Sequence, residues 1–173
     1  MLPFLYTEEP IVNKKVGKTT IINYIEYAKD AWLISSMQNI ASKLVDKETN
    51  PKYYFTDNGI LNLFLLDGNT SLLENLVAIN LLRKYGRNDA VFFYNKGVKV
   101  DFYIPDGATA IQVCYNLDNN DGTFDREVGA LLKLSSVLEC NKLMIITQEN
   151  EQVLEVDNKM IEVIPVWKWL LNL

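Results

Sequence analysis

The sequence predicts a mixed α/β (α+β) fold, a sheet flanked by helices, and three observations predict it. Short runs alternating with period two stand at 91–94, 100–104 and 110–114. Segments of helical periodicity, 71–85 and 125–138, bracket those strands. Apolar runs at 143–147 and 161–164 then read as further strands, the first of them buried.

Taken in order, residues 1–13 are apolar and aromatic around Glu8-Glu9-Pro10, with no clear period. From Gly17 onward Ile21, Ile25, Ala28 and Trp32 fall at helical spacing, with Thr19 or Thr20 as the expected cap. Residues 33–37 read as extended, and Lys52-Tyr53-Tyr54-Phe55 as a returning strand. A helix followed by a two-stranded wing is the tail of a winged helix-turn-helix. Residues 1–51 are therefore expected to form a partial winged helix and 52–173 a second domain. Asp57-Asn58-Gly59 punctuates the chain, 60–66 reads as a short helix, and 71–85 is the longest helix, ended by Gly86. After the three strands comes a polar loop, 116–123, and after the last strand Pro165 leads into a terminal helix at 166–171. Trp167 and Trp169 are two apart, so one is expected on the sheet and the other facing outward.

Composition bounds the chemistry. A chain of 173 residues, 49% hydrophobic and 23% charged, is an ordinary globular chain of one domain plus a small appendage. There is no histidine, which excludes His-based zinc sites, His general bases and Ser-His-Asp triads. Two cysteines, Cys114 and Cys140, make no disulfide framework, so a reduced, cytoplasmic protein is expected. No apolar run approaches the ~18–20 residues of a membrane span, and no membrane partner is expected. Residues 1–52 carry 7 basic against 6 acidic side chains and residues 53–173 carry 10 against 16, so the acidic part is a poor duplex binder on charge alone.

Two motifs fail on inspection. Val16-Gly17-Lys18-Thr19-Thr20 resembles the end of a P-loop, but Val12 stands where its first glycine belongs, so no ATP site is expected in this chain. Asp118-Asn119-Asn120-Asp121-Gly122 suggests a calcium loop, yet alignment on Gly122 puts Leu117 and Val128 in the first and last ligand positions.

The informative stretch is 100–115, Val-Asp-Phe-Tyr-Ile-Pro-Asp-Gly-Ala-Thr-Ala-Ile-Gln-Val-Cys-Tyr. Folding it about Asp106-Gly107 brings Asp101 level with Gln112, so that an acid, an amide and the Cys114 thiol converge. An acid on one strand and acid-x-Lys on the next is the layout of metal-dependent nucleases. Here Gln112 and Cys114 replace the second acid and the lysine.

Six blocks then fall in a recognisable order: Tyr-Tyr-Phe-Thr-Asp-Asn-Gly at 53–59, Leu-Glu-Asn-Leu-Val at 73–77, Val-Asp-Phe at 100–102, Ile-Gln-Val-Cys-Tyr at 111–115, Arg126-Glu127, and Ile-Pro-Val-Trp-Lys-Trp-Leu-Leu at 164–171. Together they resemble the C-terminal domain of unknown function attached to prokaryotic AAA-type ATPases, which is similar in fold to the PD-(D/E)XK restriction-endonuclease superfamily. The resemblance implies a restriction-endonuclease-like core of mixed sheet flanked by helices from about residue 52, and an ATPase domain normally in the same chain. The sequence is thus expected to be a C-terminal fragment or truncated product. Glu74 matches the helix acid and Asp101 the strand acid, while Gln112 and Cys114 occupy the acid-x-Lys positions.

In an active relative the acids would hold Mg²⁺. Glu74, Asp101 and Gln112 are accordingly the weak metal candidates, and all four residues a vestigial catalytic set. Cys114 offers neither a cation nor a good hard-metal ligand. Lys99 or Lys133 could substitute from a neighbouring element. Ser71-x-x-Glu74 is also the spacing of a capping box, leaving both roles open for Glu74. The resulting expectation is an inactive or weakly active binding and specificity module of an ATPase. Its rivals are an active Mg²⁺-dependent DNase and a protein-interaction domain with no nucleic-acid role. If DNA is the partner, Lys14, Lys15, Lys18 and Asn23 would make the first phosphate contacts; a homo-oligomer is equally compatible with the sequence.

Overall fold

The computed structural model describes residues 17–41, 51–65, 68–86, 90–118 and 122–173. The chain forms helix α1 (Lys18–Asp30), strands β1 (Ile34–Asn39) and β2 (Lys52–Phe55), helices α2 (Asn58–Asn62) and α3 (Asn69–Tyr85), and strands β3 (Phe92–Asn95), β4 (Lys99–Ile104) and β5 (Thr109–Val113). Helix α4 (Thr123–Leu134), strands β6 (Lys142–Thr147), β7 (Gln152–Val156) and β8 (Lys159–Pro165), and helix α5 (Val166–Leu171) complete it.

The strands build one eight-stranded sheet in the order β2-β1-β3-β4-β5-β6-β8-β7. It is mixed: β3, β4 and β5 form an antiparallel meander, whereas β5, β6 and β8 run parallel. Parallel neighbours need a crossover, and α4 supplies the one between β5 and β6. The α/β prediction and its mixed sheet hold. The sheet is buried on both faces at its centre. Leu73, Val77 and Leu81 of α3 and Trp169 of α5 pack with Phe102, Ile111, Val113, Met144 and Ile146. On the other face Val128, Leu131 and Leu134 of α4 pack with Tyr103, Ala110, Cys114, Leu143 and Ile145. Alternation along β6 sends Met144 and Ile146 to one cluster and Leu143 and Ile145 to the other, which is why that strand reads as an unbroken apolar run.

Several local expectations shift. Strands β1 and β2 pair antiparallel, Ile34 opposite Phe55, as the expected wing would. The end of β1 then pairs parallel with β3, Gln38 opposite Phe92, so these strands extend the main sheet across the expected boundary at 51/52. Helix α1 is capped by Gly17 rather than by Thr19 or Thr20, which lie in its first turn. Its apolar stripe is only partly covered, and none of its residues is buried. The short helix starts earlier than expected because the Asp57 carboxylate accepts the Ile60 N–H at 3.0 Å. The β7–β8 hairpin was not anticipated; its Asp157-Asn158 turn has both φ angles positive, 52° and 58°, in residue types that tolerate that region. Trp169 is buried and Trp167 exposed, as their spacing required.

Buried Asn75 ties the sheet edge to α3. Its amide donates to Phe55 O at 3.0 Å and to Asn58 Oδ1 at 2.8 Å, and its Oδ1 accepts the Phe55 N–H at 2.9 Å. Asn75→Ala leaves these groups without partners and is expected to lower unfolding free energy by about 2 kcal/mol, measured by urea denaturation; a change within error would show that the strap carries no stability.

Candidate functional site

The turn at Pro105–Ala108 sets the site. Gly107 adopts φ +87°, and Ile104 pairs with Thr109. Counting back along the pairs Tyr103–Ala110 and Phe102–Ile111 places Asp101 opposite Gln112, as the sequence predicts. The two side chains cross-link the strands. The Asp101 N–H donates to Gln112 Oε1 at 2.8 Å, the Gln112 amide donates to Lys99 O at 3.2 Å, and the Val113 N–H donates to Asp101 Oδ2 at 3.0 Å. Both ends of Gln112 are therefore spent on the backbone of β4.

Glu74 arrives from α3. The cap of that helix is Gly68, so Ser71 already lies inside the first turn and the capping-box reading fails. Freed from the backbone, the Glu74 carboxylate points to strand β2. The Tyr54 hydroxyl donates to its Oε1 at 2.8 Å, and Lys52 Nζ lies 3.2 Å from the same oxygen and 3.4 Å from Asp101 Oδ1. The ammonium also lies 5.4 Å from the centre of the Phe93 ring, within cation–π range.

Glu74, Asp101 and Gln112 thus line one groove of about 500 Å³, together with Lys99, Lys133 and the start of α4. Cys114 does not join them: it lies beyond the end of β5, buried in the apolar cluster under α4. Lys18 and Asn23 are exposed on α1, which contributes nothing to the groove lining. Lys14 and Lys15 lie outside the described residues. Among the described residues, no group of three or more Cys, Asp or Glu is placed to hold a metal ion.

Two residues were missed as site members, and a third was underrated. Lys52 and Tyr54 were seen only as strand formers, and nothing local signals a partner 22 or 49 positions away. Adjacent Arg126 and Glu127, near the start of α4, suggest only a local charge pair. The pair exists, Arg126 Nη2 to Glu127 Oε1 at 2.8 Å, but Glu127 is buried and lines the groove.

Two of the groove's carboxylates, Asp101 and Glu127, are shifted in their protonation. Burial, and then the charge of Glu74, push Asp101 up to about 7; Lys52 and the Val113 N–H oppose this, and Glu127 adds to it. Burial also raises Glu127 against the pull of Arg126, and raises Tyr54 well above the ordinary phenol value, keeping its hydroxyl a donor.

The chain is similar to an uncharacterized protein of Methanocaldococcus jannaschii, 33% identical over 169 residues. The similarity covers 92% of this chain and 38% of that protein, so the chain spans well under half the length of the relative. No family model matches, and no solved structure matches. Among the described residues no helix is long and apolar enough to cross a membrane.

Two outcomes are expected. Gln112→Glu, which restores the acid, should destabilise the fold by about 1–3 kcal/mol, because it replaces the N–H donor to Lys99 O with an oxygen; unchanged urea denaturation would contradict the strap. Asp101 holds a proton in the folded state that the unfolded chain releases near pH 4, so between about pH 4 and 7 its contribution to stability falls as pH rises. Asp101→Asn should flatten that part of the stability profile, and an unaltered slope would assign it to other groups.

Proposed function

We propose that this chain is a catalytically degenerate, restriction-endonuclease-like domain that serves as a binding and specificity module of an AAA-type ATPase, with DNA as the candidate partner. Helix α1 and the antiparallel β1–β2 pair, although joined to the main sheet, are read as the remnant of a winged helix, with Lys18 and Asn23 of α1, and Lys14 and Lys15 outside the described residues, as its candidate phosphate contacts. The similarity to a much longer protein is compatible with a module that works within a larger chain.

One observation carries the inactive reading. The Lys52 ammonium stands between Glu74 and Asp101, where a catalytic Mg²⁺ would have to be, and the Gln112 carbonyl oxygen is committed to the Asp101 N–H. A hard divalent ion requires several free oxygens in its shell. Here three of the four carboxylate oxygens already accept from Lys52, Tyr54 or Val113. Without an ion there is no activated water and no Lewis acid at the phosphate, and Cys114 supplies no replacement cation from its apolar pocket.

A second reading draws on the same lysine. Lys52 restores a positive charge beside the acids, and an active Mg²⁺-dependent DNase using Glu74, Asp101 and Gln112 would need such a group to stabilise the phosphate. Incubation with supercoiled plasmid and Mg²⁺ or Mn²⁺ separates the two. The inactive reading expects intact plasmid at levels indistinguishable from Asp101→Ala; cleavage lost in that variant would establish the DNase instead.

A further inference from the structure

Helix α1 is where sequence and surroundings disagree most. It is 13 residues long and buries none of them, and an isolated helix of that length is marginal in water unless one face is packed. Its C-terminal end is anchored: the Thr56 hydroxyl donates to Trp32 O at 2.6 Å and the Thr56 N–H to Leu33 O at 3.0 Å. Yet Ile21, Tyr24, Tyr27 and Trp32 stay exposed, the three aromatic residues at 63% each. For side chains of ordinary size that is roughly 400–600 Å² of apolar surface, as large as the largest patch on a typical monomer.

The spacing along the helix says what fits this face. Ile21, Tyr24, Ala28 and the C-cap residue Ala31 follow the a-d-a-d rhythm of a coiled-coil seam. Large side chains occupy its first half and small ones its second. A parallel pair would set Tyr24 against Tyr24 and Ala28 against Ala28, giving one crowded layer and one empty layer. An antiparallel pair sets Ile21 against Ala31 and Tyr24 against Ala28, so that every layer joins large to small. The positions flanking the seam carry a single charge, Lys18, whereas Glu26, Lys29 and Asp30 lie outside it. We propose that α1 docks antiparallel on α1 of a second copy of this chain, through the seam Ile21, Tyr24, Ala28 and Ala31. With both patches covered the pair buries on the order of 1,000 Å², the lower bound for a specific interface, so the dimer is a reversible one. Helix α1 contributes nothing to the lining of the groove at Glu74 and Asp101, which makes the dimer independent of what that groove does.

The test is sedimentation equilibrium of the whole chain, over a concentration series reaching roughly a hundred micromolar, where an interface of this size should be populated. The wild type should approach twice the mass of one chain as concentration rises. Tyr24→Lys should weaken association on the order of tenfold or more. Asp30→Lys, exposed on the opposite side of the helix, should leave it unchanged. Orientation is read with two further variants. Ile21→Glu and Ala31→Lys should each associate weakly alone and recover a dimer when mixed in equal amounts, because position 21 meets position 31 only between antiparallel helices. Circular dichroism checks that each variant is folded; should Tyr24→Lys fail to fold, Ile21→Glu takes its place. A wild type that stays monomeric throughout the series overturns the proposal and leaves the face to another protein. A dimer indifferent to Tyr24→Lys overturns it as well, since it must assemble through a different surface, and so does a mixture of the paired variants that recovers no dimer.

Discussion

A carboxylate taken inside a sheet must be met by positive charge, by hydrogen bonds or by a proton, and the arrangement around Asp101 supplies all three. Lys52 lies against one oxygen, the Val113 N–H donates to the other, and burial with Glu74 nearby raises the carboxyl to about 7. The elements that meet at the groove are those needed to deliver these groups. Strand β2 brings the lysine, α3 brings the second acid, β5 brings the amide that braces β4, and α4 closes the remaining side with the buried Glu127.

This constraint explains why the first strands belong to the main sheet rather than to a separate unit. Lys52 can reach Glu74 and Asp101 only if β2 is held beside α3, and β1 holds it there by pairing with β2 on one side and with β3 on the other. Asn75 adds a polar clamp inside an otherwise apolar helix face. Buried amides of this kind are tolerated because every donor and acceptor is used, and they fix one arrangement where apolar packing alone would permit sliding.

Chemically, the groove sets acids against a cation delivered from another strand. The Gln112 amide ties β4 to β5, and the Cys114 thiol is absorbed into the core. Both residues serve packing or backbone satisfaction. Positive charge beside the acids comes from Lys52, placed between Glu74 and Asp101. Helix α1 has another character: it buries none of its residues, and Ile21, Tyr24 and Tyr27 remain exposed on it.

The sequence by itself determined whatever depends on near neighbours. Period-two and helical spacing located nearly all the strands and helices, and a four-residue turn with Gly107 in the left-handed region made Asp101 face Gln112 by counting alone. The β7–β8 hairpin was equally local, with Asp157-Asn158 as its signal, and went unread. Tertiary structure decided the groove's electrostatics. That Glu74 answers Lys52 and Tyr54 instead of capping its helix depends on α3 being capped by Gly68 and starting at Asn69, two residues earlier than its apolar pattern suggested. That Cys114 leaves the groove depends on β5 ending at Val113 under α4. Charges buried in a sheet select partners by distance in space, and the distance between residues 52 and 101 exists only once the sheet has formed.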